Sequence, residues 1–233
     1  MTDYLVIGSG RWATHLKSTL RLAGCESSQW SRRSNNELEL QQGLSRASHV
    51  WLAISDSALP EWSVKLRDFK GLKLHSSGVA EIPGLHSVHP LMSFAPQLYP
   101  DDFYQRFALV STSSLERDEL IPGLKNPFFK IKSEQKAFYH SLCVLAGNGG
   151  VLLWNKFFSE MQRLGLPFEV TQLYASRILE NLLLDPERAL TGPLVRGDHD
   201  TLQKDLAALG GDPFQAVLQS LIHAFQKSQR GPL

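Results

Sequence analysis

Short apolar runs alternate with amphipathic stretches along the first half of the chain. Tyr4–Ile7 is the first such run, and Arg11–Leu22 follows it with Ala13, Leu16 and Leu20 spaced as on one face of a helix. The same reasoning predicts strands at Ser28–Ser31, Val50–Ile54, Leu72–His75, His86–His89, Phe107–Val110 and Phe128–Ile131, and a helix at Ser57–Phe69. Strands that alternate with helices predict a mostly parallel sheet covered by helices on both faces.

From about residue 132 onward the pattern is helical only. Ser133 is expected to cap a long helix over Glu134–Met161, which Gly147, Gly149 and Gly150 weaken locally. Further helices are predicted at Glu169–Leu184, Asp200–Leu209 and Pro213–Gln226. The sequence therefore predicts an α/β domain over residues 1–131, with a doubly wound sheet, and an all-α domain over residues 132–233.

The composition narrows the class of protein. A chain of 233 residues with 42% hydrophobic and 20% charged residues is typical of a globular protein, and its net charge of +1 argues against a nucleic-acid binder. Neither a secretory signal nor an uninterrupted apolar run of the ~20 residues that cross a bilayer is evident. Cys25 and Cys143 show no metal or redox spacing, so a cytoplasmic protein without a metal site or membrane partner is expected.

A glycine-containing turn after the first strand predicts a dinucleotide site. The segment consists of Gly8, Ser9, Gly10, Arg11, Trp12 and Ala13. The first glycine permits a tight turn, the second lets the backbone approach a pyrophosphate, and Ala13 allows close contact between helix and strand. A tight turn without a ligand is the alternative interpretation of this segment.

The residues after the second strand favour NADP over NAD. An NAD site usually has an acidic residue there for the ribose 2′-hydroxyl, whereas this chain has Ser31, Arg32 and Arg33. Paired guanidinium donors suit a 2′-phosphate, although an exposed basic turn would look the same. Ile54, Ser55 and Asp56, after the third strand, are expected to contact the cofactor, with helix capping as the alternative role of Asp56.

Polar residues at later strand ends are candidates for the nicotinamide and substrate. Ser76 follows the fourth predicted strand and is expected to contact the cofactor. His75 and His89 end two strands, and His89 is the preferred substrate contact because the following Pro90 keeps it extended. A histidine at a strand end is also a common structural hydrogen-bonding group.

Several longer motifs resemble one family. They are His75-Ser76-Ser77-Gly78, His89-Pro90-Leu91-Met92-Ser93-Phe94, Tyr139-His140 followed by Asn148, and Thr191-Gly192-Pro193 followed by Arg196-Gly197-Asp198. In these motifs the chain resembles Rossmann-like proteins that carry a DUF2520 helical domain. That family is similar in layout to pyrroline-5-carboxylate reductase, prephenate dehydrogenase and coenzyme-F420-dependent NADP reductases.

This resemblance implies an NADP-binding domain followed by a helical dimerisation domain of the 6-phosphogluconate dehydrogenase C-terminal type. Catalytic or substrate-binding roles are expected for His89, His140, Asn148, Thr191 and Arg196. His140 and Asn148 lie eight residues apart on roughly one face of a predicted helix, so they would contact different parts of a ligand, or one would bind the cofactor and the other the substrate. Related hydroxyacid and ketopantoate enzymes have a lysine four residues before such an asparagine, where this chain has Val144.

The function expected from these residues is hydride transfer between NADP(H) and a small polar or carboxylate-bearing substrate between the two domains. A homodimer is expected through apolar helix faces formed by Leu142, Leu145, Leu152, Leu153, Leu179, Leu182 and Leu183. A non-catalytic NADP-binding sensor and a prephenate-type dehydrogenase are the alternatives. The absent lysine at position 144 favours the sensor, and His89-Pro90-Leu91-Met92 suggests the prephenate-type enzyme.

Overall fold

A computed structural model describes residues 3–229 and contains a seven-stranded sheet. The strands are β1 (Asp3–Ile7), β2 (Glu26–Trp30), β3 (His49–Leu52), β4 (Leu72–His75), β5 (His86–Leu91), β6 (Ala108–Ser111) and β7 (Phe128–Lys130). Their order is β2-β1-β3-β4-β5-β6-β7. The first five strands are parallel, β6 is antiparallel to β5, and β7 is parallel to β6.

The strand order determines where a ligand would lie. Strand β2 lies on one side of β1, and β3, the next strand in the sequence, lies on the other side. The order of the strands therefore reverses at β1. In open α/β sheets, ligands bind beyond the carboxyl ends of the strands at such a switch point. The turn that begins at Gly8 follows β1 directly, and it therefore lies at this point.

Helices α1 (Arg11–Leu22), α2 (Glu37–Arg46), α3 (Leu59–Lys65), α4 (Arg117–Leu120) and α5 (Ser133–Cys143) accompany the sheet. Because alternate side chains of β1 point to opposite faces, the strand contributes to two apolar clusters. Tyr4 and Val6 pack with Leu16 and Leu20 of α1, whereas Leu5 and Ile7 pack in a second cluster with side chains that include Leu40 and Trp62. The sheet is thus covered on both faces.

The fold confirms the predicted class and corrects several details. The predicted strands and α1 are present, but β5 continues to Leu91, so His89 lies within a strand and not at its end. Residues Ser57–Phe69 form a short 3₁₀ turn followed by the shorter helix α3. Lys132, and not Ser133, occupies the N-cap position of α5.

Helix α2 was missing from the sequence interpretation. Its local signal is a capping box: the Asn36 side chain accepts a hydrogen bond from the Glu39 N–H, and the Glu39 carboxylate accepts one from the Asn36 N–H. Only Leu40 of this helix is fully buried. A helix with so narrow an apolar face gives little periodic signal, which explains why the hydrophobic pattern did not show it.

The chain divides into two compact units, one up to Val151 and one from Leu152 onward. The first unit extends into the long helix, whereas the sequence placed the domain boundary before that helix, at residues 131 and 132. The other helices of the chain are α6 (Gly150–Arg163), α7 (Phe168–Leu184), α8 (Pro193–Arg196), α9 (His199–Ala208) and α10 (Phe214–Ser228). Residues 1 and 233, the outer limits of the two predicted domains, lie outside the described residues.

The predicted long helix is continuous over Ser133–Arg163, but its middle part is a π-helix at Val144–Gly149. The glycines expected to weaken the helix lie in or next to this segment. Among residues 3–229, this helix alone is long and apolar enough to cross a membrane. From the sequence, no apolar run of that length was expected. That property is weak support for a membrane span, since core helices of water-soluble proteins share it.

Candidate functional site

The turn between β1 and α1 depends on Gly8. The residue has a φ of +139°, and a Cβ atom there would lie 2.1 Å from the carbonyl oxygen of Ala53. Its backbone N–H donates to the carbonyl of Trp30 at 2.9 Å, and its carbonyl accepts a hydrogen bond from the Gln29 amide at 2.8 Å. The ends of β1, β2 and β3 are therefore held close together, and only glycine fits between them.

Gly10 is a glycine for a different reason. It is the N-cap residue of α1 with an ordinary φ of −76°, and a Cβ atom there would have no neighbour within 4 Å. Neither the backbone conformation nor the packing of the protein requires a glycine here. The N-cap makes no side-chain hydrogen bond, and the first turn of α1 has no acidic residue, so the start of the helix is open to an anion.

A cavity of about 590 Å³ lies over this turn. Its walls come from the ends of the first three strands, the start of α1 and one side chain of α3: Ile7, Gly8, Ser9, Gly10, Arg11, Trp12, Trp30, Ser31, Arg32, Arg33, Ala53, Ile54, Ser55 and Trp62. The structure thus brings most of the predicted cofactor-binding residues together. Ala13 lies on the buried face of α1 and packs in the core, as its predicted packing role requires.

Three guanidinium groups border the cavity without an ion-pair partner. Arg11, Arg32 and Arg33 are exposed, and none of them forms a salt bridge within residues 3–229. Asp56 follows the cavity in a 3₁₀ turn and makes no capping hydrogen bond there. Unpaired arginines beside a helix N-terminus make the cavity suitable for a ligand with several phosphate groups.

The loop that carries the two consecutive arginines is held by its own polar side chains. The hydroxyls of Ser31 and Ser34 are 2.7 Å apart, and the Ser31 N–H donates to the Asn35 side-chain oxygen at 3.0 Å. The Trp30 indole donates to the carbonyl of Asn36 at 2.8 Å. Ser31 is buried and holds this loop in shape, while Arg32 and Arg33 are exposed and line the cavity.

Ser76 lies beside the glycine turn in an unusual environment. Its hydroxyl oxygen accepts hydrogen bonds from the indole of Trp12 at 2.6 Å and from the indole of Trp51 at 2.7 Å. Trp12 belongs to the first turn of α1, and Trp51 is a fully buried residue of β3. The sequence identified Ser76 and Trp12 as separate cofactor contacts, and the structure joins them.

A second polar group surrounds His89. Its Nδ1 atom lies 2.8 Å from the Tyr139 hydroxyl, and its ring is perpendicular to that of His140, with ring centroids 5.8 Å apart. Gly78 permits this arrangement, because a Cβ atom there would lie 2.1 Å from the His140 ring. The motifs that contain His89, Tyr139 and His140 are therefore neighbours in the fold, as a shared site would require.

Lys136 is a buried cation next to this group. Its ammonium forms an ion pair with Glu81 at 2.9 Å and donates to the carbonyl of Ala80. The Lys136 side chain is only 3% exposed, and burial lowers the pKa of its ammonium although Glu81 opposes the shift. Burial acts to raise the pKa of Glu81, but hydrogen bonds from Lys136 and Thr112 outweigh it and lower the pKa.

Two histidines near Lys136 are neutral at physiological pH. Burial, with a smaller contribution from Lys136, lowers the pKa of His75 to about 4. Burial and the nearby His140 lower the pKa of His89 to about 4 as well. His75 accepts a hydrogen bond from the Ser77 N–H at Nδ1, so its proton is on Nε2, a buried atom that has no partner among the described residues.

These shifts predict a loss of stability in mild acid. The unfolded histidines bind a proton near pH 6.5, whereas the folded ones resist it until about pH 4. The contribution of each neutral histidine to the free energy of unfolding is therefore fully present above pH 6.5. It is lost between pH 6.5 and 4, by up to about 3 kcal/mol for each histidine. Thermal unfolding measured across this range should show the fall, and His75→Gln and His89→Asn should each reduce its slope.

The exposed residue His223 provides the matched control for that measurement. His223→Gln removes one histidine without removing a buried one, so the pH dependence should stay as in the unchanged protein. Equal slopes for the unchanged protein, His75→Gln and His89→Asn would show that these two histidines do not cause the loss.

The other predicted catalytic residues are exposed. Asn148 lies in the π-helix, so the spacing of an unbroken α-helix, which placed it on the same face as His140, does not apply. Thr191 and Arg196 belong to the second compact unit, next to Gly192 and Gly197, which both have positive φ. Asp198 caps α9 by accepting a hydrogen bond from the Thr201 N–H, as expected. The catalytic roles stay predictions.

Sequence reasoning missed Lys136, Glu81 and Trp62 as parts of the site. The available signal was the spacing of Lys136, Tyr139 and His140, which lie three and four positions apart and so share one face of α5. The resemblance to hydroxyacid and ketopantoate enzymes implies a lysine at position 144, where this chain has a valine, and it gives no reason to expect one at position 136. Nothing in the sequence links Glu81 to this helix, because the ion pair spans 55 residues between positions 81 and 136. Within residues 3–229, no group of side chains suits a metal ion.

Comparisons with known proteins agree with this architecture. Residues 115–225 match the family described as a domain of unknown function, DUF2520. No curated protein matches the chain at a significant level.

Solved structures resemble the chain over nearly its whole length. The candidate NADP oxidoreductase BF3122 from Bacteroides fragilis has a TM-score of 0.75 at 22% identity, with coverage of 97% of this chain and 98% of the other. Protein TM1727 from Thermotoga maritima has a TM-score of 0.64 at 19% identity, with 98% and 100% coverage. An imine reductase from Streptomyces aurantiacus has a TM-score of 0.66 at 14% identity, with 97% and 94% coverage. These similarities establish a shared fold, a Rossmann-type sheet followed by helices.

Proposed function

Because this chain joins a Rossmann-type fold to a DUF2520 domain, we propose that it is an NADP(H)-dependent oxidoreductase. The observation that carries the proposal is the cavity over the glycine turn, with the open start of α1 at its base and unpaired arginines at its rim. Gly10, which the protein's own packing does not require, leaves space for a pyrophosphate. The names of the similar structures, an NADP oxidoreductase and an imine reductase, agree with this chemistry.

The residues of the cavity fit NADP(H) in a defined direction. Arg32 and Arg33 follow β2 and would hold the 2′-phosphate, while the backbone N–H groups at the start of α1 would hold the pyrophosphate. The cofactor supplies the hydride when it is bound. The protein's contribution is then to orient the acceptor and to manage one proton.

We assign the orientation of the substrate to His89. Tyr139 occupies its Nδ1 atom, whereas Nε2 has no hydrogen bond within residues 3–229 and is left for a ligand. Because the pKa of His89 is about 4, the ring is neutral at physiological pH and binds an oxygen as a neutral imidazole.

The experiment that tests this function has two stages. Titration with NADPH and NADH, followed by tryptophan fluorescence, should show tighter binding of NADPH. A panel of imines, keto acids and hydroxyacids, with prephenate and arogenate included, should then show absorbance changes at the wavelength of NADPH for at least one compound. Tight binding without turnover of any compound would instead identify a non-catalytic NADP-binding protein.

Lys136 weakens one reason for preferring a non-catalytic sensor. The absence of a lysine at position 144 suggested that a proton donor was missing, but Lys136 lies next to the His89 group. A buried ammonium whose pKa is lowered is a common feature of sites that exchange protons. The missing lysine at position 144 is therefore no reason to prefer a sensor, and the activity assay decides between the two.

We also propose a homodimer. The leucines of the expected contact faces are all exposed by 40% or more of their surface: Leu142, Leu145, Leu152, Leu153, Leu179, Leu182 and Leu183. Large exposed apolar surfaces usually mark sites of association, and a second copy of the chain is the partner that is always present. Light scattering should give twice the mass of the chain, and Leu145→Glu together with Leu152→Glu should reduce it to that of a monomer.

The reducing cytoplasm is the proposed location. Cys25 and Cys143 are both free thiols, which agrees with a reducing compartment but does not require one. Fractionation of cells that produce the protein, followed by detection of the chain in the soluble cytoplasmic fraction, tests this proposal. Recovery in the membrane fraction would contradict it and would favour a membrane-spanning role for the helix Ser133–Arg163.

A further inference from the structure

We infer that Ser76 binds the carboxamide oxygen of the nicotinamide ring as a hydrogen-bond donor, an inference that rests on the proposed NADP(H) site. A serine hydroxyl has two lone pairs and one proton. Both lone pairs of Ser76 are engaged, because the indole N–H groups of Trp12 and Trp51 donate to its oxygen at 2.6 and 2.7 Å. The hydroxyl can therefore accept nothing more.

Its proton is the part that is free. Within residues 3–229, the Ser76 hydroxyl makes no hydrogen bond other than those it accepts from the two indole N–H groups, so its own proton has no acceptor there. Two donors directed at the oxygen polarise the O–H bond and strengthen it as a donor. A serine hydroxyl normally both donates and accepts, and the two tryptophans leave Ser76 able only to donate. They are therefore positioning residues.

The order of strands places this donor at the nicotinamide end of the proposed cofactor. The arginines for the 2′-phosphate follow β2, the glycine turn for the pyrophosphate follows β1, and the next strands in the sheet are β3 and β4. A dinucleotide held at the first two points extends its other half across the ends of β3 and β4. Ser76 is the first residue after β4, and its bond to Trp12 keeps it next to the glycine turn.

The carboxamide matches the donor in chemistry. The carboxamide oxygen is the one carbonyl oxygen of the nicotinamide nucleoside. The hydroxyls of the ribose both donate and accept hydrogen bonds. A lone donor discriminates in favour of a strong acceptor such as an amide oxygen. Fixing that oxygen fixes the rotation of the carboxamide and helps to select the face of the ring that is presented to the substrate.

Thio-NADP⁺, in which sulfur replaces the carboxamide oxygen and accepts hydrogen bonds weakly, tests this inference by calorimetric titration. The unchanged protein should bind NADP⁺ about 3- to 10-fold more tightly than thio-NADP⁺, the effect of one neutral hydrogen bond. Ser76→Ala should weaken NADP⁺ binding by a similar factor and bind both compounds equally. Binding of 2′,5′-ADP, which lacks the nicotinamide half, should be the same in both proteins.

Trp51→Phe is the matched control for packing. Ser76→Ala leaves two indole N–H groups without an acceptor, so it can disturb the local structure as well as remove the donor. Trp51→Phe breaks one of the same two hydrogen bonds inside the core but keeps the hydroxyl and the bond from Trp12, so it should reduce the preference for NADP⁺ over thio-NADP⁺ only in part, and by less than Ser76→Ala does.

Two results would overturn the inference. One is an unchanged preference for NADP⁺ in Ser76→Ala, and the other is a loss of that preference in Trp51→Phe as large as in Ser76→Ala. Failure of the proposed NADP(H) site looks different, because the unchanged protein would then bind neither NADP⁺ nor 2′,5′-ADP.

Discussion

Arg32→Glu is expected to weaken NADPH binding by about 10- to 100-fold while changing NADH binding by no more than about 3-fold. A hydrogen bond between a guanidinium and a phosphate contributes about 1.5–3 kcal/mol, and the introduced carboxylate repels the 2′-phosphate in addition. NADH has no 2′-phosphate, so it loses only long-range attraction, which salt screens. The side chain is exposed and unpaired within residues 3–229, so the protein's stability should change little.

Fluorescence titration with both cofactors at a fixed salt concentration measures the effect. Arg106→Glu provides a control with the same change in net charge, because Arg106 is exposed and lies outside the residues that line the cavity. That variant should bind NADPH like the unchanged protein. Equal losses for NADPH and NADH in Arg32→Glu would disprove the assignment of the 2′-phosphate site and leave only a general phosphate site.

Gly8→Ala and Gly10→Ala are expected to have opposite effects, although the two glycines are only two residues apart. At Gly8 the new methyl group would lie 2.1 Å from the Ala53 carbonyl oxygen, and the φ of +139° is unfavourable for alanine. Strain and overpacking together should lower the free energy of unfolding by about 2–5 kcal/mol. The variant should melt at a lower temperature or fail to accumulate as a folded protein.

At Gly10 the methyl group would enter open space, and the φ of −76° suits any residue. Stability should stay the same or increase by up to about 1 kcal/mol, because alanine restricts the unfolded chain. NADPH affinity should nevertheless fall by at least about 10-fold, since the methyl group occupies the path of the pyrophosphate. Thermal unfolding together with cofactor titration separates the two effects.

The pair has a clear contradicting outcome. If Gly10→Ala binds NADPH as tightly as the unchanged protein, the turn is a structural feature and the cavity does not hold a pyrophosphate. Stability of Gly8→Ala at the level of the unchanged protein would contradict the close approach of β1 and β3 that the structure shows.

The local interactions of the first 75 residues were strong enough to be predicted without the fold. The continuous apolar run of β1, the period of 3.6 in α1 and the glycines between them are properties of consecutive residues, so the sequence by itself determined the strand–turn–helix unit and the two arginines that follow β2. The long helix after residue 132 was also evident. Helix α2 escaped because its apolar face consists of little more than Leu40.

What the tertiary structure decided is which distant side chains meet. The pairing of Trp12 and Trp51 on Ser76, the ion pair of Lys136 with Glu81, and the contact of His140 with Gly78 each join residues that are 25 to 64 positions apart. Such contacts depend on the order of strands and on the antiparallel placement of β6, and neither has a periodic signal in one sequence. The sequence by itself therefore determined the strand–turn–helix unit at which we propose that a dinucleotide binds, whereas only the fold decided which side chains are buried, which histidines are neutral and which distant polar groups form hydrogen bonds.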